Sequence, residues 1–211
     1  MKKILTLLLF QCMVTLAFAQ KSFEGEVIYS ISLQSHMANV TDEQINSLIG
    51  DTQHYYMKGA NYKSTFNGTY GLWALYIDKD KKYYEKSTLN DSVIWRDVNI
   101  NHDSITNAEL KKNDTTILGY RCDKLIFTCR QGLQIYYFNS QLAVDPNLYI
   151  NHQEGSWYAF LEKSRSLALK EIIHKRLLTF TLTATSIKRV PIEDSLFELP
   201  PGVPLIKSRV K

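Results

Sequence analysis

Residues 23–33 read FEGEVIYSISL, and their alternation decides the fold. Phe23, Val27, Tyr29, Ile31 and Leu33 share one face, Glu24, Glu26, Ser30 and Ser32 the other, with Ile28 as the exception. A period of two with one apolar side is the pattern of a half-buried strand. The pattern returns near the C-terminus, where Leu178, Phe180, Leu182 and Ala184 alternate with Thr179, Thr181, Thr183 and Thr185. A threonine-rich outer face suits an antiparallel sheet wetted on one side.

Working outward, Tyr70 to Ile77 and Lys82 to Ser87 flank residues 78–81 (DKDK) and read as a hairpin. Ile117 to Cys129 and Leu133 to Asn139 flank residues 130–132 (RQG) and read as a second. Val93 to Ile100 and Leu167 to His174 are further strands, and Asp145-Pro146-Asn147 is a turn with proline preset for its first central position. Thr41 to Gln44 (TDEQ) is a capping box, Ile45, Leu48 and Ile49 form one apolar helical face, and Gly50 supplies the stop. A second short helix is expected from Trp157 to Lys163. The fold class expected is mainly β, with α+β character. One curved antiparallel sheet forms an open half-barrel, and one or two short helices serve as a lid.

Residues 1–19 carry the marks of an export signal. Lys2 and Lys3 precede an apolar run from Ile4 to Leu16, and Ala17-Phe18-Ala19 is an A-x-A cleavage site. The run is shorter than the ~20 residues that cross a bilayer, so cleavage before Gln20 is expected rather than a membrane anchor. Cys12 lies inside the apolar run, the wrong place for lipid attachment. Residues 20–211 then form a single domain in the periplasm or outside the cell. That domain has 23 basic and 21 acidic residues, scattered singly and in pairs, which excludes a nucleic-acid footprint. Cys122 and Cys129 would stand about 23 Å apart along one strand at ~3.3 Å per residue, so no disulfide between them is expected.

No catalytic group, metal ligand set or cofactor motif emerges. The five histidines are dispersed, with none paired at i,i+3 or i,i+4, and no G-x-S-x-G, S-x-x-K or glycine-rich phosphate loop is present. Four D-S/T-apolar triplets, at Asp91, Asp103, Asp114 and Asp194, resemble an O-glycosylation acceptor of some Gram-negative periplasms. What recurs is aromatic: thirteen tyrosines, nine phenylalanines and three tryptophans. Beneath a helical lid on a curved sheet such residues line an apolar cavity, and Tyr29, Ile45, Trp73, Tyr76, Tyr137 and Phe180 are the candidate ligand-binding residues. Cross-strand core packing is the competing role for each of them.

Residues 117–124 (ILGYRCDK), 136–138 (YYF), 144–146 (VDP), 184–187 (ATSI) and 196–202 (LFELPPG) follow one another in a familiar order. Through them the chain resembles secreted Gram-negative proteins of the GLPGLI and lipoprotein-sorting type, whose fold is like that of the lipoprotein carrier LolA. The hexapeptide Gly-Leu-Pro-Gly-Leu-Ile itself is absent, and residues 166–170 (SLALK) occupy about that place. The resemblance implies an open β half-barrel around helices, with an apolar concave face that takes up lipoprotein acyl chains in the carriers. It transfers no functional residue to this chain.

The function expected is therefore an exported, non-enzymatic protein holding an apolar ligand or acyl chain. The partners expected are a lipid or other apolar ligand, or an envelope protein. An envelope interaction module without a small ligand is the alternative, and a hydrolase stands third. N-terminal analysis of the exported form should begin at Gln20. A lipid-modified start at Cys12 would replace the released carrier with a tethered receptor.

Overall fold

The computed structural model describes residues 21–89 and 91–209. The expected signal segment lies outside the described residues. Twelve strands form one sheet: β1 (Gly25–Ser35), β2 (Thr52–Lys58), β3 (Asn61–Phe66), β4 (Gly71–Ile77), β5 (Lys82–Ser87), β6 (Val93–Asp97), β7 (Ile105–Ile117), β8 (Tyr120–Cys129), β9 (Gly132–Ala143), β10 (Ser166–Lys175), β11 (Leu178–Lys188) and β12 (Leu205–Lys207). Among the described residues two α-helices accompany it, α1 (Asp42–Ile49) and α2 (Trp157–Ser164). The spatial order is β12-β6-β5-β4-β3-β2-β1-β11-β10-β9-β8-β7, antiparallel except where β12 runs parallel to β6. The sheet is large, curved and open, and does not close into a barrel. Among the described residues no helix is long and apolar enough to cross a membrane.

The two strands with the clearest alternation are neighbours at the middle of the sheet. In β1–β11 pairing Tyr29 faces Ala184, Ile31 faces Leu182, and Leu33 faces Phe180, so the apolar parities of both strands meet on one side. A bulge between Ile28 and Tyr29 shifts the register there. The extra residue is Thr185 on β11, so β1 keeps its alternation, with Ile28 half-buried between buried Val27 and Tyr29; bulges add local twist and bend. Gly25 and Gly132 sit at close strand crossings. A Cβ on Gly25 would lie 2.0 Å from the Lys188 carbonyl oxygen, and one on Gly132 1.8 Å from that of His174.

The main core fills the concave side and joins β1 and β8–β11 to α2 and the segment before it. Phe160 of α2 is fully buried, stacks on Tyr136 at 4.4 Å between ring centres, and meets Phe138 edge-on at 6.0 Å. A second, smaller core of Leu75, Tyr84, Val93, Ile192 and Phe197 lies apart from it. The chain after β11 forms that core by folding back, tied by Lys58 Nζ donating to the Ile192 carbonyl at 2.6 Å and pairing with Asp194 at 2.8 Å. Cys122 and Cys129 both lie on β8 as buried free thiols, and burial pushes both above their ordinary pKa.

Four strands, β2, β3, β7 and the short β12, were not expected from the sequence. β2 and β3 form a hairpin around Gly59, and β7 is a long edge strand exposed along most of its length. The second expected hairpin begins three residues later than Ile117, because Leu118 and Gly119 turn the chain between β7 and β8.

Phe160 is a fully buried apolar tie between α2 and β9. Phe160→Ala should lower unfolding free energy by about 3–5 kcal/mol, read from the midpoint of urea denaturation with an unchanged slope. A loss below about 1 kcal/mol would mean that α2 is not packed as described.

Candidate functional site

The helix α1 covers part of the concave face without being buried in it. Its start is capped as the sequence predicts, Gln44 N donating to Thr41 Oγ1 at 3.2 Å and Thr41 N donating to Gln44 Oε1 at 2.9 Å. Asn46 clamps the helix to β1, accepting from Leu33 N at 3.0 Å and donating to Leu33 O at 2.8 Å. The C-terminal end is held by Thr69 N on Ser47 O at 3.0 Å and Tyr70 N on Leu48 O at 2.8 Å. Backbones touch here: a Cβ on Gly68 would lie 2.2 Å from the Ile49 carbonyl carbon. Polar bonds at both ends thus hold the helix, and none of its residues is fully buried.

Beneath it lies a hollow of about 550 Å³, bordered by Leu33, Ile45, Ile49, Phe66, Leu178 and Phe180 among others. The structure brings Ile45 and Phe180 together there. Trp73 also borders the hollow, but its indole carries Lys63 Nζ at 5.5 Å and packs with the smaller core. The remaining candidates are elsewhere. Tyr76 is fully buried, its ring 4.6 Å from that of His152 and its hydroxyl donating to Asp78 at 2.9 Å. Tyr137 is half-buried, with Lys124 Nζ at 5.3 Å and Lys170 Nζ at 5.9 Å from its ring. Tyr29 belongs to a second cavity, where its hydroxyl donates to the Ala168 carbonyl at 2.7 Å.

That second cavity encloses about 280 Å³ and is bordered by Tyr29, Tyr55, Tyr62, Tyr83, Trp157 and Glu171 among others. Tyr83 borders both spaces, and Leu33 and Tyr29 of β1 with Phe180 and Leu182 of β11 give them a common floor. Tyr62 is the hub of the aromatic cluster, with ring centres of Tyr55 at 5.5 Å, His152 at 5.7 Å and Trp157 at 5.8 Å. Its hydroxyl and His152 Nε2 share a 2.6 Å hydrogen bond. Arg96 is locked between Glu85 and Glu154 and lies 4.4 Å over the Tyr83 ring. Burial works against the guanidinium charge, but Glu85 and Glu154 more than offset this and hold it above its ordinary value.

Sequence reasoning did not single out Gln53, Arg96, His152 or Glu171. The available signal was parity: Gln53 precedes Tyr55 and Met57, and Glu171 lies between Leu169 and Ile173, each a polar residue in an inward-facing series. Burial pushes the Glu171 carboxyl up to about 7 and drives the His152 imidazole down to about 4. Among the described residues no three His, Cys, Asp or Glu side chains converge as a metal site.

These two shifts act on stability in opposite directions. His152 has a depressed pKa, so its contribution is present above the ordinary 6.5 and is lost as pH falls through about 4. Glu171 has a raised pKa, so its contribution is present below the ordinary 4.5 and is lost as pH rises through about 7. Glu171→Gln should therefore gain stability relative to the wild type as pH rises from 4.5 to 7, then hold that gain. Denaturation midpoints of both proteins across this range check it; a constant difference would mean that Glu171 is solvated.

No protein-family model matches the chain, and no curated protein matches it. Among solved structures it is similar to PNGF-II, with a TM-score of 0.50 and 12% identity over 89% of this chain. The chain spans about a third of the PNGF-II structure, 32% of its length. It is also matched to LprF from Mycobacterium bovis, with a TM-score of 0.35 and 10% identity, covering 81% of this chain and 88% of that one. At such identities the PNGF-II match speaks for the fold alone.

Proposed function

We propose that the chain is an exported, non-enzymatic binding protein that takes an acyl chain or similar apolar ligand into the hollow beneath α1. The observation that carries this reading is a helix strapped by polar bonds at both ends, with its apolar residues bordering unfilled space. A helix docked only for stability would sink Ile45, Leu48 and Ile49 into the core. Here Leu48 remains 45% exposed. At about 550 Å³ the hollow falls within the size range of small-molecule sites, about 300–1,000 Å³.

Two further readings each have one feature in their favour. Edge strand β7 offers unpaired backbone to a partner protein, but Lys111, Lys112 and a bulge between Lys111 and Thr115 interrupt it, and such features discourage strand addition. Glu171, with its raised pKa, has the acidity of a general acid–base. Yet Glu154 is committed to Arg96, and the Ser64 hydroxyl accepts from Gln53 Nε2 at 2.6 Å rather than meeting a base.

Titration of the mature protein with fluorescent fatty acids of increasing length tests the binding reading. Affinity should rise about fourfold per added methylene, at about 0.8 kcal/mol per buried CH₂, until the hollow is full. Ile45→Trp, which narrows the hollow at its helix side, should weaken uptake severalfold while leaving the melting temperature within a few degrees of the wild type. No uptake by the wild type, or uptake unaffected by Ile45→Trp, would overturn the assignment.

A further inference from the structure

We propose that the aromatic cavity between α2 and the β1–β11 floor is a second site, built for a small organic ammonium ion, with Glu171 as its counter-ion. This goes beyond the apolar hollow and does not rest on it.

The charge pattern is the first argument. Among the described residues the Glu171 carboxylate has no hydrogen-bond or ion-pair partner, although it lies in a wall of aromatic and aliphatic side chains. A carboxylate so placed is costly unless a cation compensates it. The cation already in the lining cannot do so, because Arg96 is bound by Glu85 and Glu154 together. That trio leaves one surplus negative charge, and ionised Glu171 adds another. The cavity thus favours cations and disfavours anions.

The second argument is the wall. Tyr29, Tyr55, Tyr62, Tyr83 and Trp157 surround the space, and aromatic ring faces attract cations, above all when water is excluded. The Tyr83 ring already holds one cation in this way, the Arg96 guanidinium. The third is a set of unpartnered polar atoms: Gln53 Oε1, Tyr55 Oη, His152 Nδ1 and Trp157 Nε1. Gln53, Tyr55 and His152 are only 7%, 8% and 4% exposed, and all four residues border the cavity. Buried polar atoms without partners are rare in folded proteins; Gln53 Oε1 and Tyr55 Oη can accept from a donor group of a ligand, while the Trp157 indole N–H only donates and suits a ligand oxygen. Access is available, since Tyr83, Arg96, Trp157 and Glu171 keep partial exposure. A space of about 280 Å³ suits a head group or a small free amine rather than a long chain.

Binding should depend on pH through Glu171. The groups that feel its charge are Tyr29 on β1, Tyr83 on β5 and Tyr136 on β9, while Arg96, Glu154 and His152 border the same cavity. Burial holds the three tyrosines above the ordinary phenol range and His152 at about 4. Glu171, raised to about 7, is left to titrate near neutrality. A cation selects its ionised form, so affinity should fall as pH drops below about 7 and level off above it, with a proton released on binding.

Calorimetric titration of the mature chain with choline, and with its neutral isostere 3,3-dimethylbutan-1-ol, tests the site. Choline should bind at least tenfold more tightly than the alcohol, and tightly at pH 8 but weakly at pH 5.5. Glu171→Gln should lower choline affinity at least tenfold and remove the pH dependence, with fatty-acid uptake unchanged in the same preparation. Tyr55→Leu, which removes one ring but no charge, should weaken choline severalfold. Dodecyltrimethylammonium below its micelle concentration separates the two sources of the cation. Binding far tighter than choline, with displacement of fatty acid, identifies the head of an amphiphile spanning both spaces; affinity equal to choline identifies a free amine. Equal binding of choline and the alcohol, or full choline affinity in Glu171→Gln, would overturn the proposal.

Discussion

Everything in this molecule is arranged about the pairing of β1 with β11. The sheet has two wings, β2 to β6 with β12 on one side and β10 to β7 on the other, and this one antiparallel ladder joins them. Its register matches two apolar parities, so that Tyr29, Ile31 and Leu33 stand with Leu182 and Phe180 on a single face. A slip of one residue would turn that whole set outward. Both concave spaces rest on this floor, the one beneath α1 on Leu33 and Phe180, the other on Tyr29 and Leu182. The bulge at Ile28–Tyr29 bends the same ladder where the second space opens.

The two spaces solve opposite physical problems. Beneath α1, apolar side chains stay partly uncovered because the helix is fixed by amide and backbone bonds rather than by packing. Asn46, Gly50 and Gly68 set its height above the sheet, so the gap below it follows from covalent geometry and hydrogen bonding. In the aromatic cavity the unmet demand is electrostatic: the half-buried Glu171 carboxylate has no ion-pair partner, and a buried amide oxygen and phenol hydroxyl have no hydrogen-bond partner. Tyr83 is common to both walls and also carries Arg96, so a change of that ring would reach each space at once.

Residues 23–33 and 178–185 were legible because one face of each is buried and the other wet, and the TDEQ capping box was legible because it is local chemistry. That these two strands pair with each other was not legible, since register between distant strands is a tertiary fact. β7 gave no signal because nearly all its side chains are exposed, which erases alternation. Ile45 and Phe180 were found as apolar lining. Tyr76 and Tyr137 have the same composition cue, but one lies inside the core and the other between two lysines. Glu171 stood in plain view between Leu169 and Ile173, yet a lone acid in an apolar series gains meaning only once its missing partner is known.

The β1–β11 ladder also has a consequence in time. Ser30 and Thr183, which it brings together, are 153 positions apart along the chain. The closure entropy of so long a loop grows only as the logarithm of its length, but it must be met before any of the ladder's contacts reward it. Each wing can assemble from neighbouring hairpins, whereas the floor beneath both spaces requires the two wings to meet. The two concave spaces are therefore expected to be the last features the chain acquires, arriving after most of its secondary structure. A chain crossing a membrane unfolded, N-terminus first, would hold β1 paired on its β2 side alone until β11 emerged.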